Sequence, residues 1–194
     1  MGSRARAEAA TAPRPAEGDP LDGFHPAVQA WFRAALGEPT PAQARSWPHI
    51  SAGKTTLLLA PTGSGKTLAA FLSAIDRLAC SSEPDPKRRL RVLYVSPLKA
   101  LAVDVERNLR APLAGIAAAA GRLGATLRRI EVGVRTGDTP APERTRMVRT
   151  PPDVLITTPE SLYLLLTSSQ REVLASIETV IVDEIHQMAA SKRG

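Results

Sequence analysis

The 194-residue sequence contains one cysteine, three histidines and few aromatic side chains, and each scarcity excludes a class of site or protein. A single cysteine, Cys80, can build neither a disulfide framework nor a multi-cysteine zinc site. Because His25, His49 and His186 lie far apart in the sequence, they form no cluster with metal-ligand spacing. The longest apolar stretches, such as residues 162–166, are too short to span a bilayer. No apolar run follows the N-terminal arginines, so a secretory signal is excluded and the cytoplasm is the expected location.

The chain carries a formal net charge of +6 and has a pI of about 10.1, which favours a polyanion as partner. Nucleic acid, nucleotide and an acidic membrane surface all have that property. Sequences rich in alanine and arginine are also often basic without binding an anion, so charge by itself leaves both interpretations open. The length accommodates one well-filled α/β domain but not two of ordinary size.

The chain divides into a polar start and a folded domain. Residues 1–21 are rich in Ala, Pro, Arg and Glu and have little to bury, which predicts a disordered segment. Residues 22–194 form the predicted domain, which opens with apolar side chains at helical spacing over 26–36. Two of these, Trp31 and Phe32, we interpret as core residues and not as platforms for stacking bases.

Short apolar segments alternate with helical patterns along the rest of the domain. Four continuous apolar segments predict strands buried on both faces, at residues 55–60, 90–96, 153–157 and 178–183. A fifth segment, at residues 129–136, alternates apolar and polar residues and predicts a further strand. Apolar stripes over 68–78 and 98–109 predict helices between them. Strands that alternate with helices indicate an α/β fold with a mostly parallel sheet, and such sheets bind ligands beyond the carboxyl ends of their strands.

A glycine-rich segment between the first predicted strand and the next helix has the properties of a phosphate-binding loop. Residues 60–67 read Ala-Pro-Thr-Gly-Ser-Gly-Lys-Thr, with Ala60 where the generic motif has glycine. Glycines allow backbone N–H groups to turn toward a phosphate, and the following helix N-terminus adds a positive dipole. Lys66 would then reach the β- and γ-phosphates, and the Thr67 hydroxyl would bind Mg²⁺. The predicted nucleotide-binding residues are Thr62, Gly63, Ser64, Gly65, Lys66 and Thr67.

A second Gly-Lys-Thr sequence occurs just upstream, at residues 53–55. Pro48 occupies the position five residues before Gly53, where the motif wants glycine. The predicted strand also follows this copy instead of preceding it. We therefore interpret Lys54 as a solvated loop residue.

Two carboxylates end the last predicted strand. The apolar run at residues 179–182 stops at Asp183 and Glu184, which is costly unless a cation or hydrogen bonds receive the charge. Beside a phosphate-binding loop, this pattern predicts that Asp183 holds Mg²⁺ and that Glu184 orients the water that attacks the γ-phosphate of ATP. An acidic turn without a ligand is the alternative.

These two segments resemble motifs I and II of superfamily 2 nucleic-acid helicases, with motif II in the form Asp-Glu-x-His at 183–186. Residues 96–101 are similar to motif Ia, 135–139 to the Gly-Asp segment and 157–162 to motif Ib. The residues of these segments are similar to those of the large helicase-related (Lhr) family in particular, and the resemblance extends over roughly residues 22–194. The resemblance implies an α/β, RecA-like P-loop NTPase domain with helices flanking the sheet, truncated after motif II, that binds ATP and Mg²⁺.

The resemblance also implies that motifs Ia and Ib grip the phosphodiester backbone of one strand during 3′ to 5′ translocation. The local physics agrees, because each motif follows a strand and opens a helix whose free N–H groups can donate to phosphates. The partner would be single-stranded DNA, RNA or a hybrid duplex. The candidate residues are Pro97, Lys99, Thr136, Gly137, Asp138, Thr158, Pro159 and Glu160. A plain helix start, with Thr158 as cap, is a compatible alternative.

Gln43 and His186 each have two interpretations. Residues 40–43, Thr-Pro-Ala-Gln, form a capping box that predicts a helix beginning at Pro41. Gln43 also resembles the Q-motif glutamine whose amide contacts adenine, and we favour that contact. By resemblance, His186 couples the ATP site to a second domain; the alternative is a packed polar residue. The catalytic candidates are Lys66, Asp183, Glu184 and His186.

By the same resemblance, a complete motor needs a motif III segment and a second RecA-like domain with an arginine finger. We expect the isolated chain to bind ATP weakly and not to unwind a duplex, because loss of such an arginine costs about 10³ to 10⁵ in rate. Two other classes stay open. One is a P-loop enzyme acting on small molecules, such as a nucleotide kinase, and the other is a short nucleotide- or nucleic-acid-binding module without turnover.

Overall fold

The computed structural model describes residues 18–189. Most of the segment predicted to be disordered, residues 1–17, lies outside the described residues, as do residues 190–194 at the end of the predicted domain. The folded part begins before the predicted boundary at residue 22, because Leu21 is already fully buried in the core.

Seven α-helices, four β-strands and two 3₁₀ segments make up the described part of the chain. The helices are α1 (Pro26–Leu36), α2 (Pro41–Ser51), α3 (Lys66–Cys80), α4 (Lys99–Arg122), α5 (Ala141–Arg149), α6 (Pro159–Leu166) and α7 (Ile185–Ala189). The strands are β1 (Val92–Val95), β2 (Val132–Arg135), β3 (Val154–Thr157) and β4 (Thr179–Val182). The 3₁₀ segments are Pro86–Arg88, before β1, and Ser169–Ser176, before β4.

The four strands form one parallel sheet in the order β2-β3-β1-β4. Leu93 of β1 lies in register with Leu155 of β3 and with Val180 of β4. Parallel strands need crossover connections, which α4, α5 and α6 supply in turn between β1, β2, β3 and β4. The predicted α/β fold is therefore confirmed, and the alternating segment at 129–136 contains a strand, β2.

Successive side chains of β1 and β3 enter two different hydrophobic cores, because they alternate between the faces of the sheet. Tyr94 and Ile156 belong to the larger core, which also takes side chains from α1, α3 and α4. Leu93 and Leu155 belong to a smaller core on the opposite face, together with Leu165 of α6. Both faces of the central strands are thus covered, as the continuous apolar runs predicted.

The helices follow the periodicity of the sequence. Thr40 is the N-cap of α2, and Pro41 is its first residue. Trp31 and Phe32 of α1 are buried in the larger core, which confirms their interpretation as core residues. Among residues 18–189, no helix combines the length and the apolar character needed to cross a bilayer.

Helix α3 runs antiparallel to the strands that it covers. Near its start, the ring of Phe71 stacks on Tyr94 toward the end of β1, with centroids 5.0 Å apart. Nearer its end, Arg77 donates a hydrogen bond of 2.8 Å to the Thr179 hydroxyl at the beginning of β4. The N-terminus of α3 therefore lies at the carboxyl ends of the strands, the edge at which Asp183 follows β4.

The prediction of a first strand at residues 55–60 is wrong. Residues 54–60 have no strand structure, and Leu57 and Leu59, which the prediction buried, are 69% and 81% exposed. A parallel strand depends on ladder hydrogen bonds and apolar cover from its neighbours. No strand within residues 18–189 pairs with this segment, and the outer edge of β4 is open as well, with Val180 57% exposed.

A buried ion cluster around Asp153 holds the amino ends of the strands together. Asp153 is fully buried, and its Oδ1 accepts a hydrogen bond of 2.6 Å from Arg128. Its Oδ2 lies 3.2 Å from a guanidinium nitrogen of Arg89 and accepts a 2.7 Å bond from the N–H of Glu131. These bonds join the residues that precede β1, β2 and β3, at the edge of the sheet opposite the start of α3.

Candidate functional site

The glycine-rich segment forms a tight loop that leads into α3. Gly63 and Gly65 have φ angles of 81° and 78°, in the left-handed region that glycine enters without steric cost. Gly65 is the N-cap residue of α3 and Lys66 its first residue. The Ser64 hydroxyl is buried and has no hydrogen-bond partner among the described residues. A helix N-terminus with free N–H groups beside an unpaired buried hydroxyl fits an anionic oxygen as ligand.

Lys66 turns back onto its own loop. Its Nζ donates hydrogen bonds to the carbonyl oxygens of Ala60 at 2.6 Å and Pro61 at 2.9 Å. Thr62 and Thr67 are exposed, so both side chains are accessible at this edge of the sheet. A phosphate that reached Lys66 would have to replace the two carbonyl oxygens as its acceptors.

The first turn of α2 contacts the predicted phosphate-binding loop at residues 60–67, called the phosphate loop below. The Thr40 hydroxyl donates to the carbonyl oxygen of Ser64 at 2.8 Å, and the Gln43 amide donates to that of Gly65 at 3.4 Å. The Gln43 carbonyl also accepts the N–H of Thr40, and the Thr40 hydroxyl accepts the N–H of Gln43, which confirms the capping box. A Cβ at position 65 would lie 2.4 Å from the Gln43 amide nitrogen, so a larger residue there would displace the end of the Gln43 side chain.

Asp183 and Glu184 follow β4 at the same edge of the sheet as the start of α3. The Tyr94 hydroxyl donates a hydrogen bond to Oδ2 of Asp183, and the N–H of Glu184 donates to Oδ1 at 2.9 Å. Burial raises the pKa of Tyr94, and the bond to Asp183 and the charges of both carboxylates raise it further, so the phenol stays protonated. The Asp183 carboxylate is therefore fixed by one donor on each oxygen.

Glu184 lies in a strained turn beside His186. Its φ of 47° is uncommon for a residue other than glycine, and such conformations cluster at functional sites. His186 Nε2 lies 3.3 Å from Oε2 of Glu184, and the histidine side chain is 72% exposed. Within the described residues the His186 side chain is therefore not packed, and its coupling role stays a prediction.

The oxygen donors at this edge match the chemistry of Mg²⁺. This ion is bound by one or two carboxylates together with water and phosphate oxygens. Each oxygen of Asp183 accepts one hydrogen bond from the described residues, and a carboxylate oxygen has lone pairs for about two partners. Thr67, the second residue of α3, adds an exposed hydroxyl. The residues present therefore fit the ion that the sequence predicted.

The loops after β1 and β2 bring motif Ia and the Gly-Asp segment together. The ammonium group of Lys99, at the start of α4, lies 2.7 Å from Oδ1 of Asp138. Arg144 of α5 holds the turn between β2 and α5 by donating to the carbonyl oxygens of Gly137 at 2.8 Å and Thr139 at 2.6 Å. Gly137 and Asp138 are exposed, whereas Thr136 is buried and Pro97 half-buried.

The end of β3 adds the motif Ib candidates to the same edge. Thr158 is the N-cap residue of α6 and Pro159 its first residue. The Thr158 hydroxyl donates to Ser161 Oγ at 3.3 Å and makes no capping bond to a backbone N–H. Thr158 is buried, and Glu160 in the first turn is exposed. Thr158 thus has the predicted position of a cap without making the predicted side-chain bond.

The predicted residues therefore gather at one edge of the sheet in two groups. The nucleotide candidates lie at the start of α3 and the end of β4, and the strand-binding candidates lie after β1, β2 and β3. Sequence reasoning missed Tyr94 and Arg144, which hold members of these groups in place. Both contacts join residues distant in sequence, and the only signal for Tyr94 was a polar hydroxyl inside an apolar strand.

Comparison with known proteins decides the family. The sequence profile of the DEAD/DEAH box helicases matches residues 40–194, which is most of the chain. The chain belongs to the DEAD/DEAH box helicase family. Among P-loop enzymes, this assignment removes the alternative of a small-molecule kinase.

Within the DEAD/DEAH box helicases, the chain is similar to Lhr proteins. It is 61% identical over 176 residues to the Lhr helicase/probable uracil glycosylase of Mycolicibacterium smegmatis, covering 91% of this chain and 12% of that protein. It is 53% identical over 178 residues to the Lhr helicase/uracil glycosylase of Escherichia coli K12, covering 89% of this chain and 12% of that protein. The Lhr resemblance found in the sequence is confirmed.

A solved structure supports the RecA-like fold of this helicase chain. The structure of Mycobacterium smegmatis helicase Lhr bound to ssDNA and AMP-PNP matches with a TM-score of 0.85 and 60% identity. The match covers 91% of this chain and 22% of that chain. The protein described here thus spans a small part of the length of the relatives it matches.

Proposed function

We propose that the chain forms the nucleotide-binding part of an ATP-dependent nucleic-acid helicase and contributes one side of its strand-binding surface. The observation that carries this proposal is the common edge at which the start of α3 and the Asp183-Glu184 pair lie. A relative that is 60% identical was solved with ssDNA and AMP-PNP, which supports a nucleotide and a single strand as ligands.

Nucleotide binding begins at the phosphate loop. Backbone N–H groups of residues 62–67 receive the phosphates, and Lys66 exchanges the carbonyl oxygens of Ala60 and Pro61 for phosphate oxygens. Gln43 shapes the loop through Gly65. The adenine contact favoured from the sequence stays a prediction, and in this structure it would need the Gln43 amide to exchange its existing bonds.

Hydrolysis depends on the two carboxylates after β4. Thr67 and Asp183 would hold Mg²⁺, which neutralises charge on the β- and γ-phosphate oxygens when it is bound. Glu184 accepts a hydrogen bond from the attacking water and orients it toward the γ-phosphate. His186, adjacent to Glu184 and exposed, is placed to contact a second domain and to report the state of the nucleotide site to it.

Strand binding uses the loops after β1, β2 and β3. Lys99 supplies positive charge, and the N-termini of α4 and α6 supply N–H groups for phosphate oxygens. Such contacts are independent of base sequence and weaken as salt rises. The strand would be DNA, RNA or one strand of a hybrid, and movement along it would run 3′ to 5′.

The chain by itself would bind nucleotide weakly without unwinding a duplex. It spans about 12% of the length of the two relatives described above. Residues 54–60, which lead into the phosphate loop, have exposed leucines and no neighbouring strand in the described part of the chain. A binding module without turnover is therefore the expected behaviour of the isolated 194 residues, whatever the longer protein does.

The test uses a chimera in which this chain replaces the segment of the M. smegmatis relative that it matches. ATP hydrolysis is measured with single-stranded DNA, with single-stranded RNA and without nucleic acid. We expect stimulation by at least one of the two strands, and unwinding of duplexes with a 3′ tail in preference to a 5′ tail. The control chimera carries Lys66→Ala.

Two results would contradict the proposal. The first is a chimera whose ATP hydrolysis responds to neither nucleic acid, although the parent relative responds under the same conditions. The second is robust duplex unwinding by the isolated 194-residue chain. The first would remove the helicase role from these residues, and the second would show that no further domain is needed.

A further inference from the structure

The Asp183 carboxylate is held by two donors from different parts of the chain. The N–H of Glu184 is a neighbour in sequence, whereas the Tyr94 hydroxyl comes from β1, the strand that pairs with β4. A carboxylate with one donor on each oxygen cannot rotate about its terminal bond without breaking a hydrogen bond. Its remaining lone pairs therefore point in fixed directions.

The Tyr94 side chain is itself immobilised. Tyr94 is fully buried, and its backbone lies in register with Ile181 of β4, two residues before Asp183. Its ring stacks on Phe71 at a centroid distance of 5.0 Å and an interplanar angle of 25°. A phenol has few rotatable bonds, so a ring packed in this way presents its hydroxyl at one place.

Phe71 connects this arrangement to the phosphate loop. It lies on α3, the helix that begins at Lys66, so the ring contact joins the loop's own helix to the tyrosine. The path from the phosphate loop to Asp183 thus runs through one aromatic stack and one hydrogen bond. Groups that orient a metal-binding side chain in this way commonly change metal affinity or activity by about 10- to 100-fold when removed.

We propose that Tyr94 is a positioning residue for Asp183, which sets the carboxylate of motif II for magnesium-nucleotide binding through its hydroxyl. This inference rests on the proposed function, since it gives Tyr94 a role only if Asp183 receives Mg²⁺. A purely structural role would depend on the ring and not on the hydroxyl. Removing the hydroxyl oxygen of Tyr94 while keeping its ring therefore distinguishes the two roles.

The test compares Tyr94→Phe with Tyr163→Phe in the 194-residue chain. Tyr163 is an exposed tyrosine on α6, and its hydroxyl has no part in the site. Binding of a fluorescent AMP-PNP analogue is measured across a titration of Mg²⁺, and thermal unfolding is followed for each variant. We expect Tyr94→Phe to raise the Mg²⁺ concentration for half-maximal binding at least about tenfold, with Tyr163→Phe unchanged.

A double-mutant cycle with Asp183→Asn makes the test specific. If the hydroxyl acts through Asp183, Tyr94→Phe has no further effect on the Mg²⁺ requirement in the Asp183→Asn background. In the chimera with the M. smegmatis relative, the turnover lost by Tyr94→Phe at limiting Mg²⁺ should return toward the parent value at saturating Mg²⁺. Because a bound ligand also stabilises a folded protein, thermal unfolding measured without nucleotide separates this rescue from a folding defect.

The outcomes separate the two proposals. If the unaltered chain binds nucleotide in a Mg²⁺-dependent way but Tyr94→Phe leaves the requirement unchanged, the role of Tyr94 is overturned and the proposed function stands. Equal shifts from Tyr94→Phe with and without Asp183→Asn also overturn the positioning role. If the unaltered chain shows no Mg²⁺-dependent nucleotide binding, both proposals fall.

Discussion

The side-chain ammonium of Lys66 lies 2.6 Å from the carbonyl oxygen of Ala60, at the opposite end of the phosphate loop. A second bond, of 2.9 Å, joins it to the carbonyl oxygen of Pro61. The lysine that is predicted to bind phosphate thus donates to two carbonyl oxygens of its own loop. Under the proposed function, nucleotide binding would exchange these acceptors at Lys66, and its affinity would reflect the difference between phosphate and carbonyl oxygens.

The first prediction concerns this lysine. Lys66→Ala should weaken binding of a fluorescent ATP analogue by about 10- to 100-fold, because hydrogen bonds to charged groups contribute about 1.5–3 kcal/mol. The matched control is Lys54→Ala, in the upstream Gly-Lys-Thr sequence, which should bind like the parent chain. Equal losses in both variants, measured by fluorescence titration, would contradict the assignment of residues 60–67 as the phosphate loop.

The second prediction concerns the proposed water-orienting carboxylate. In the chimera, Glu184→Gln should lower kcat for ATP by about 100-fold or more, as expected for loss of a general base, while nucleotide affinity stays within about threefold. Glutamine has nearly the same shape, so the turn at φ 47° is retained. Glu178→Gln, just before the amino end of β4, is the control and should leave kcat unchanged. An equal loss of affinity and kcat in Glu184→Gln would point to a binding role instead.

The third prediction concerns the ion pair between Lys99 and Asp138. Lys99→Ala should weaken binding of single-stranded DNA and reduce the slope of log K against log salt by about 0.7, the value for one phosphate contact on a single strand. Fluorescence anisotropy at several salt concentrations measures both quantities. Arg110→Ala, at an exposed position on the same helix, should leave the slope unchanged.

Replacing the partner carboxylate of Lys99 should change affinity and salt dependence in the opposite direction. Asp138→Asn removes the competitor for Lys99, so affinity for the single strand should rise and the slope should become steeper. A loss of affinity equal to that of Lys99→Ala would instead mean that Asp138 holds Lys99 in its binding position. In either case the effect belongs to this pair only if Arg110→Ala shows neither change.

The fourth prediction concerns stability at the opposite edge of the sheet. Asp153→Asn leaves Arg89 and Arg128 without their buried carboxylate, which should lower the free energy of unfolding by about 3–5 kcal/mol. Glu178→Gln breaks the more exposed ion pair with Arg91 and should cost no more than about 1 kcal/mol. Urea unfolding of both variants measures the difference. Similar costs would show that the Asp153 cluster contributes little.

The fifth prediction concerns the pH dependence introduced by Asp76 on α3. Burial raises the pKa of Asp76 above its ordinary value of 3.8, although the N–H of His25 and nearby positive charges oppose the shift. The folded state therefore holds this proton more tightly than the unfolded state. The contribution of Asp76 is most favourable at low pH and is lost as pH rises through the raised pKa.

Asp76→Asn removes that titration and keeps an oxygen that can accept the N–H of His25. Relative to the parent, the variant should gain stability as pH rises from acidic to neutral, as measured by urea unfolding at several pH values. Asp104→Asn, at an exposed position on α4, is the control and should follow the parent. The same pH dependence in both variants would remove Asp76 as its source.

Much of the fold was predictable because local patterns decide it. The apolar stripe of α3, the capping box at residues 40–43 and the continuous apolar runs of β1 and β3 each predicted their element. The candidate residues of the nucleotide group were also predictable, since a glycine-rich turn before a helix and carboxylates after a strand are local signals. Their meeting at one edge follows from the parallel sheet.

The misses have a different physical origin. Residues 54–60 have a strand sequence, yet a parallel strand exists only where a neighbour supplies its hydrogen bonds, and that is not a local property. Tyr94, Arg144 and the ion cluster at Asp153 escaped because each depends on groups that are distant in sequence. Sequence pattern thus located the chemistry but not the side chains that hold it in position.

Two hydrogen bonds, from Thr40 to Ser64 and from Gln43 to Gly65, couple the position of α2 to that of the phosphate loop. A displacement of the loop would either move Thr40 and Gln43 with it or break these two hydrogen bonds. Under the proposed function, a contact that tilts α2 would change the geometry of the phosphate-binding residues. The exposed side of α2 is therefore a surface at which a contact would act on the loop through Thr40 and Gln43.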